Sequence, residues 1–318
     1  MKQRYSIKPE VREGVEIFLL EEEDHARAAV APGLGQNCFL FETRVPILET
    51  VDFTEFRKKP TSYGIPLQFP FPNRIRDGAF LFQGERFRVE PARHGFVRDK
   101  AFRVIETGAS NLDGAWVRSE IKASDYPREI LGQFPFPFTL EVTHRVRNGA
   151  IEIDAVAENT GERTMPTGFG IHPYFRRPGR GSVQVPAGKR WELLDSLPTG
   201  RILDVDRDYD LREPRALAGL TLDDIYADLS AGPSGGVQCF LNDEVNRVQT
   251  VVEFPRRQFP HVVVYTPPAP RQAVCVEPNS CPTDAFNLQQ QGIDADLIEL
   301  EPGQKVAFHV RVFSRDLP

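Results

Sequence analysis

Residues 138–161 read FTLEVTHRVRNGAIEIDAVAENTG, and this stretch decides the fold class. Phe138, Leu140, Val142, His144 and Val146 alternate with more polar residues. Asn148-Gly149 follows, and then Ile151, Ile153, Ala155 and Ala157 alternate again. Alternation with a period of two collects one set of side chains on a single face of a strand. Asn-Gly supplies the positive-φ positions of a two-residue turn. The segment therefore predicts an antiparallel hairpin with one buried face.

The same pattern recurs along the chain. Val306, Phe308, Val310 and Val312 make another alternating strand. HVVVYTPP (261–268) and RQAVCVEP (271–278) read as short buried strands ended by proline, and HARAAVAPGLGQNCFLFE (25–42) as paired strands around a Gly-rich turn. No apolar repeat is sustained at helical spacing; short helices are expected only near 129–131 (EIL) and in LDDIYADL (222–229). The 27 prolines and 24 glycines are spread through the 318 residues, as many short strands joined by turns require. Pro-rich pieces such as PTSYGIPLQFPFPNRIRDG are too aromatic for solvated linkers. The expectation is an all-β chain, a large antiparallel β sandwich, with residues 1–318 forming a single domain.

A formal net charge of −6 gives no footprint for nucleic acid or an anionic membrane surface. No apolar run is long enough to span a bilayer, and the first 30 residues do not read as a signal peptide, so a cytoplasmic location is expected. Cys38, Cys239, Cys275 and Cys281 form no CxxC pair and read as free thiols.

Dinucleotide, Walker, HExxH and GxSxG motifs are missing. Four other stretches stand out: FPFPNRIRDGAF with Asn73 and Arg74, RHGFVRD with His94, GIHPYF with His172, and VCVEPNSCPTDAFN with Glu277. Pro173 restricts His172 to extended backbone and so presents its imidazole stiffly. Each residue also has a structural reading. Arg74 would pair with Asp77 on the surface, His94 would brace a turn, His172 would sit satisfied in a core, and Glu277 would end a strand in solvent. The six histidines lack local metal-ligand spacing; a site joining His94 and His172 in space stays open, but no metal is expected.

Taken together and in order, these stretches resemble the aldose 1-epimerase (galactose mutarotase) family. PFPNRI is similar to the family's Asn-Arg sugar-binding stretch, HGFVR to its His-Gly segment, GIHPYF to the segment with its catalytic histidine, and VCVEP to that with its catalytic glutamate. LDDIYADL is similar to its Asp-x-x-Phe/Tyr segment, giving Asp223, with Asp224 as the nearby alternative. The resemblance implies a galactose mutarotase-like supersandwich that interconverts the anomers of an aldohexose. Glu277 would be the general base and His172 the general acid; Asn73, Arg74, His94 and Asp223 would bind the sugar. No cofactor is implied, the partner is a small sugar, and the oligomeric state is left open. Phe71, Tyr174 and Phe175 are candidates to stack on a sugar face. The loops RRPGRGSVQV and LNDEVNRVQT are expected to shape the far side of the cleft.

Arginine is unusually frequent near Arg74: Arg76, Arg86, Arg88, Arg93, Arg98 and Arg103 follow. They are either solvent-facing strand positions or the mark of an anionic sugar, such as a hexose 6-phosphate or a sulfonated sugar. A non-catalytic carbohydrate-binding protein would not need both His172 and Glu277. A glycoside hydrolase would use paired carboxylates and leave the histidines unexplained.

Overall fold

The computed structural model describes residues 3–318. Strands Phe138–Arg147 and Ala150–Asn159 pair antiparallel around Asn148 and Gly149, whose φ values of 51° and 70° are those of the expected turn. Every second residue of the first strand, from Phe138 to Val146, is buried. The hairpin sits inside a nine-stranded sheet, with Lys305–Asp316 along one side and Gly114–Lys122 along the other.

A second, eight-stranded sheet contains Asp223–Leu229, His261–Tyr265 and Ala273–Asn279 side by side. The two large sheets close on one core. Val262, Val264, Val274 and Val276 from the second belong to the same buried cluster as Leu140, Val142 and Val310 from the first. The Phe169 ring stacks on Phe308 at 4.8 Å within it. Residues 5–42 form a four-stranded antiparallel sheet that adds Phe18, Leu20 and Phe41 to this core. The fold is thus the expected antiparallel β sandwich. No helix among the described residues is long and apolar enough to cross a membrane.

Two local expectations need correction. LDDIYADL is not helical: Asp223–Leu229 is a strand between Ala187–Leu194 and His261–Tyr265. Tyr226 and Leu229 enter the main core, while Ile225 and Ala227 pack into a smaller cluster with Trp191 and Val263 on the opposite face. Burial on both faces hides the period of two, and strand pairing overrides local propensity. The strand Ala273–Asn279 does not stop before its proline but runs through Pro278. The short helix near 129–131 is present as one turn, Pro127–Leu131.

His144 is fully buried in the hairpin, and neither ring nitrogen has a hydrogen-bond partner. Burial pushes its pKa down from 6.5 to about 3, so the native protein holds it neutral. The unfolded chain takes up a proton near pH 6.5 that the folded chain refuses until about pH 3. His144 therefore leaves stability intact above that window and erodes it as pH falls through it. The slope is at most about 1.4 kcal/mol per pH unit for this one proton. His144→Leu is expected to unfold at higher urea than wild type at pH 4.5 by a margin larger than at pH 7. Equal margins at both pH values would refute the assignment.

Candidate active site

The site begins with a break in a β ladder. Ala273–Asn279 pairs with the preceding segment at Gly170↔Asn279 and again at Tyr174↔Cys275. Both contacts belong to one register, so His172 stands opposite Glu277 inside the interruption. Pro173 and Pro278 lie at the break, and neither has an N–H to donate. The N–H of His172 turns the other way, to the carbonyl of Pro66 at 2.9 Å. Strand alternation then sorts the side chains. Ile171, Phe175, Val274 and Val276 enter the core, while His172, Tyr174, Cys275 and Glu277 lie on the opposite face.

Neighbouring elements complete a cavity of about 220 Å³ over that face. Asp223 and Tyr265 are register partners and both line it. Asp224 is paired across to Val264, a core residue, and does not reach the cavity. Two loops supply the rest. The 69–75 loop is tied to the 92–96 loop by Ile75 N–H to Ala92 O at 3.0 Å and Phe96 N–H to Phe69 O at 2.8 Å. Asn73 and His94 take left-handed backbone conformations, φ 53° and 63°, at the points where these loops face each other. Gly95 follows at φ 66°, so close to the other loop that a Cβ would lie 2.0 Å from Phe69 O. The cavity is lined by all six residues singled out in the sequence: Asn73, Arg74, His94, His172, Asp223 and Glu277.

Within it, His172 Nε2 lies 3.3 Å from Glu277 Oε1. The other carboxylate oxygen accepts from Gln68 Nε2 at 3.2 Å, and Gln68 Oε1 accepts from the Asn73 N–H at 2.8 Å. His172 stacks on Tyr174 at 4.6 Å and meets His94 edge-on at 5.2 Å. Nδ1 of each histidine is buried without a partner. Arg74 donates to Asn73 Oδ1 at 3.3 Å and faces Asp223 at 3.7 Å. It does not pair with Asp77.

Burial sets the electrostatics. It pushes the His172 pKa down to about 3, with the cationic Arg98, Arg271 and Arg93 acting in the same direction. His94 is held well below its usual value for the same reasons, burial first and then the neighbouring His172 and arginines. Glu277 is driven well above the carboxylate range by burial, against the pull of the Gln68 hydrogen bond and the Arg74 charge, and Asp223 pushes it further up.

His172, Cys275 and Glu277 offer donor atoms within 4.8 Å of one another. They fit a cation poorly. Burial holds the Cys275 thiol protonated, and Arg74, Arg93 and Arg98 line the same cavity.

Some expectations shift. Phe71 and Phe175 are core residues; of the three candidate aromatics only Tyr174 lines the cavity. The loops around 176–185 and 241–250 do not border it. They pair with each other, through Gly181↔Asp243 and an Arg180–Glu244 ion pair. Gln68, Tyr265, Arg93 and Arg98 were not assigned to the site from sequence. For Gln68 the signal was a lone amide in the apolar run IPLQFPF.

The molecule is a large antiparallel β sandwich with a polar cavity over the His172–Glu277 contact on one face of its second sheet. The sequence profile of the aldose 1-epimerase family matches residues 42–312, and the chain belongs to that family. Among solved structures, a galactose mutarotase-like protein from Clostridium acetobutylicum superposes with a TM-score of 0.87 at 19% identity, covering 98% of this chain and 99% of that one. Galactose 1-epimerase from Lactobacillus acidophilus gives 0.78 at 14% identity, covering 99% of each. At these identities the likeness is one of fold. The Escherichia coli protein YihR, described as uncharacterized, is 22% identical over 261 residues, 76% of each chain.

The close approach of Gly95 to Phe69 makes a definite demand on the loop pair. Gly95→Ala combines a left-handed φ with a clash against backbone, which is expected to cost at least about 2 kcal/mol. The urea midpoint should fall with the m-value unchanged. An unchanged midpoint would mean that the two loops are not packed this tightly.

Proposed function

We propose that this protein interconverts the α and β anomers of an aldose, with Glu277 as general base and His172 as general acid. The observation that carries the reading is the 3.3 Å approach of His172 Nε2 to Glu277 Oε1 in a cavity lined by hydrogen-bonding side chains. Family membership and fold support mutarotase-like isomerase chemistry on a sugar.

Mutarotation needs one proton to leave the anomeric hydroxyl and one to arrive at the ring oxygen. Glu277 takes the first as the C1–O1 bond gains double-bond character and the C1–O5 bond breaks. His172 gives the second to O5. Rotation about C1–C2 presents the other face of the aldehyde, and the same two groups return the protons as the ring closes. Nothing is oxidised or reduced, and the pair ends as it began. Arg74 and Asn73 donate to sugar hydroxyls, Asp223 accepts from them, and His94 holds the sugar beside the ring oxygen.

The perturbed pKa values favour the opening step. Burial strengthens Glu277 as a base and strengthens protonated His172 as an acid. Ring opening leaves His172 neutral and Glu277 protonated, the state that burial prefers. The reactive form carries the shared proton on His172, beside a carboxylate that also accepts from Gln68 and lies in the field of Arg74. Because the two groups touch, they titrate as a pair that shares one proton.

Glu277→Gln is expected to slow anomer exchange by about 10²–10⁴-fold while sugar still binds, and His172→Asn to do the same. Proton exchange spectroscopy on equilibrated aldoses gives the rates. A near-normal rate in Glu277→Gln would remove it as the base. The pH profile is a separate check. The pair keeps its one proton from about pH 3, set by His172, up to the raised pKa of Glu277. Rates should therefore be level from mildly acidic through neutral pH. A limb centred near pH 6.5 would mean that His172 titrates as a solvent-exposed imidazole.

A further inference from the structure

The cavity holding His172 and Glu277 is not isolated. Arg74, Arg93 and Arg98 line it and also line a larger neighbouring cavity of about 720 Å³. The three guanidiniums stand where the two spaces meet. Arg74 faces Asp223. Among the described residues no carboxylate forms an ion pair with Arg93 or Arg98, and Asp99, beside Arg98 in sequence, pairs with Lys100. Arg98 is only partly exposed. Arg76 and Arg88 reach the larger cavity too, but Arg76 is paired with the buried Asp284 at 3.2 Å and is not free to bind an anion.

A neutral hexose does not call for this charge. Its hydroxyls are served by Asn73, Arg74 and Asp223, and Arg98, partly desolvated and without an ion-pair partner, is costly there unless a ligand supplies an anion; Arg93 stands exposed beside it at the rim of the same cavity. Their placement selects one end of the sugar. Both Arg93 and Arg98 lie close enough to act electrostatically on His172 and on His94, the residues read above as flanking the ring oxygen. In an aldohexopyranose the carbon bonded to that oxygen on the side away from C1 is C5, which carries C6. A substituent on C6 therefore points from the histidine side of the sugar toward these arginines.

Resting on the mutarotase reading, we infer that the substrate is an aldose bearing an oxyanion, phosphate or sulfonate, on C6, and that Arg93 and Arg98 bind it. Planar guanidinium forks suit bidentate contact with either group. The larger cavity leaves room for its remaining oxygens and their water. Arg86 and Arg103 take no part: Arg86 is exposed on a hairpin, and Arg103 pairs with Glu120.

The test compares kcat/KM for anomer exchange of glucose 6-phosphate, 6-deoxy-6-sulfoglucose and glucose, using wild type, Arg93→Gln, Arg98→Gln and the conservative Arg98→Lys. Wild type is expected to prefer at least one anionic sugar over glucose by tenfold or more, and the faster of the two identifies the oxyanion. Each Gln variant should cut that preference by about tenfold, with Arg98→Lys retaining part of it. A preference for glucose, or a preference untouched in both Gln variants, would overturn the inference. If no sugar is turned over, the mutarotase reading fails on its own, and calorimetric binding of the same three sugars decides the anion site. Selective binding of an anionic sugar that is lost in Arg98→Gln supports the site, and equal or absent binding of all three overturns it.

Discussion

Everything at the site follows from a ladder that cannot close. Between Gly170↔Asn279 and Tyr174↔Cys275 the two segments keep one register, yet the residues between them do not pair. Two prolines account for this, since Pro173 and Pro278 have no N–H to offer. A gap in the interior of a sheet normally leaves backbone groups unsatisfied. Here the His172 N–H finds the Pro66 carbonyl instead, which draws in the segment leading to Gln68 and Asn73. The same gap sets two side chains, one from each segment, directly opposite each other on the face away from the main core. The His172–Glu277 contact and its support thus come from one defect in strand pairing.

The sheet also explains why the pair is so strongly perturbed. One face of strand Ala273–Asn279 is committed to the main core through Val274 and Val276. Cys275 and Glu277 point the other way but are roofed by Tyr174, Tyr265 and the two loops, so that Glu277 is only 1% exposed. A carboxylate there sits in low dielectric with a single amide donor, Gln68. Desolvation dominates the shifts of both members of the pair, and the surrounding guanidiniums oppose it for Glu277 while reinforcing it for His172. A charged dyad would be the costly state in a dry pocket; a pair that passes one proton back and forth avoids holding an uncompensated charge.

How far the sequence reaches depends on the kind of constraint. The hairpin at 138–159 was legible because one face is core and the other is not, so alternation survives in the residue types. Asp223–Leu229 was not, because it is buried on both faces and its two adjacent aspartates resemble a helix start. The choice between Asp223 and Asp224 needed only register: a strand sends neighbours to opposite faces, and pairing to Tyr265 puts Asp223 on the cavity side. Gln68 showed only as a lone amide in an apolar run, and its role could not be read from that, since it comes from hydrogen bonds to residues 209 and 5 positions away. The arginines were legible as an excess but not as a place. Only folding separates Arg93 and Arg98, at the cavity, from Arg103, which answers Glu120.

The proposed chemistry and the proposed selection are carried by different parts of the molecule. His172 and Glu277 are fixed by strand register, which cannot slip by one residue without turning Glu277 into the core. Asn73, Arg74, Arg93, His94 and Arg98 line the cavity from the loops at 73–78 and 91–98, held together by backbone hydrogen bonds and by the tight contact of Gly95. Loops of this kind can exchange side chains without disturbing the sheet beneath. The reacting atoms of an aldose are the same whatever its distal substituent, so the dyad makes no distinction among aldoses. On the proposed reading, discrimination falls to Arg93, Arg98 and their neighbours, and a charged far wall beside an unchanged dyad is the arrangement expected when a common scaffold is fitted to a particular sugar.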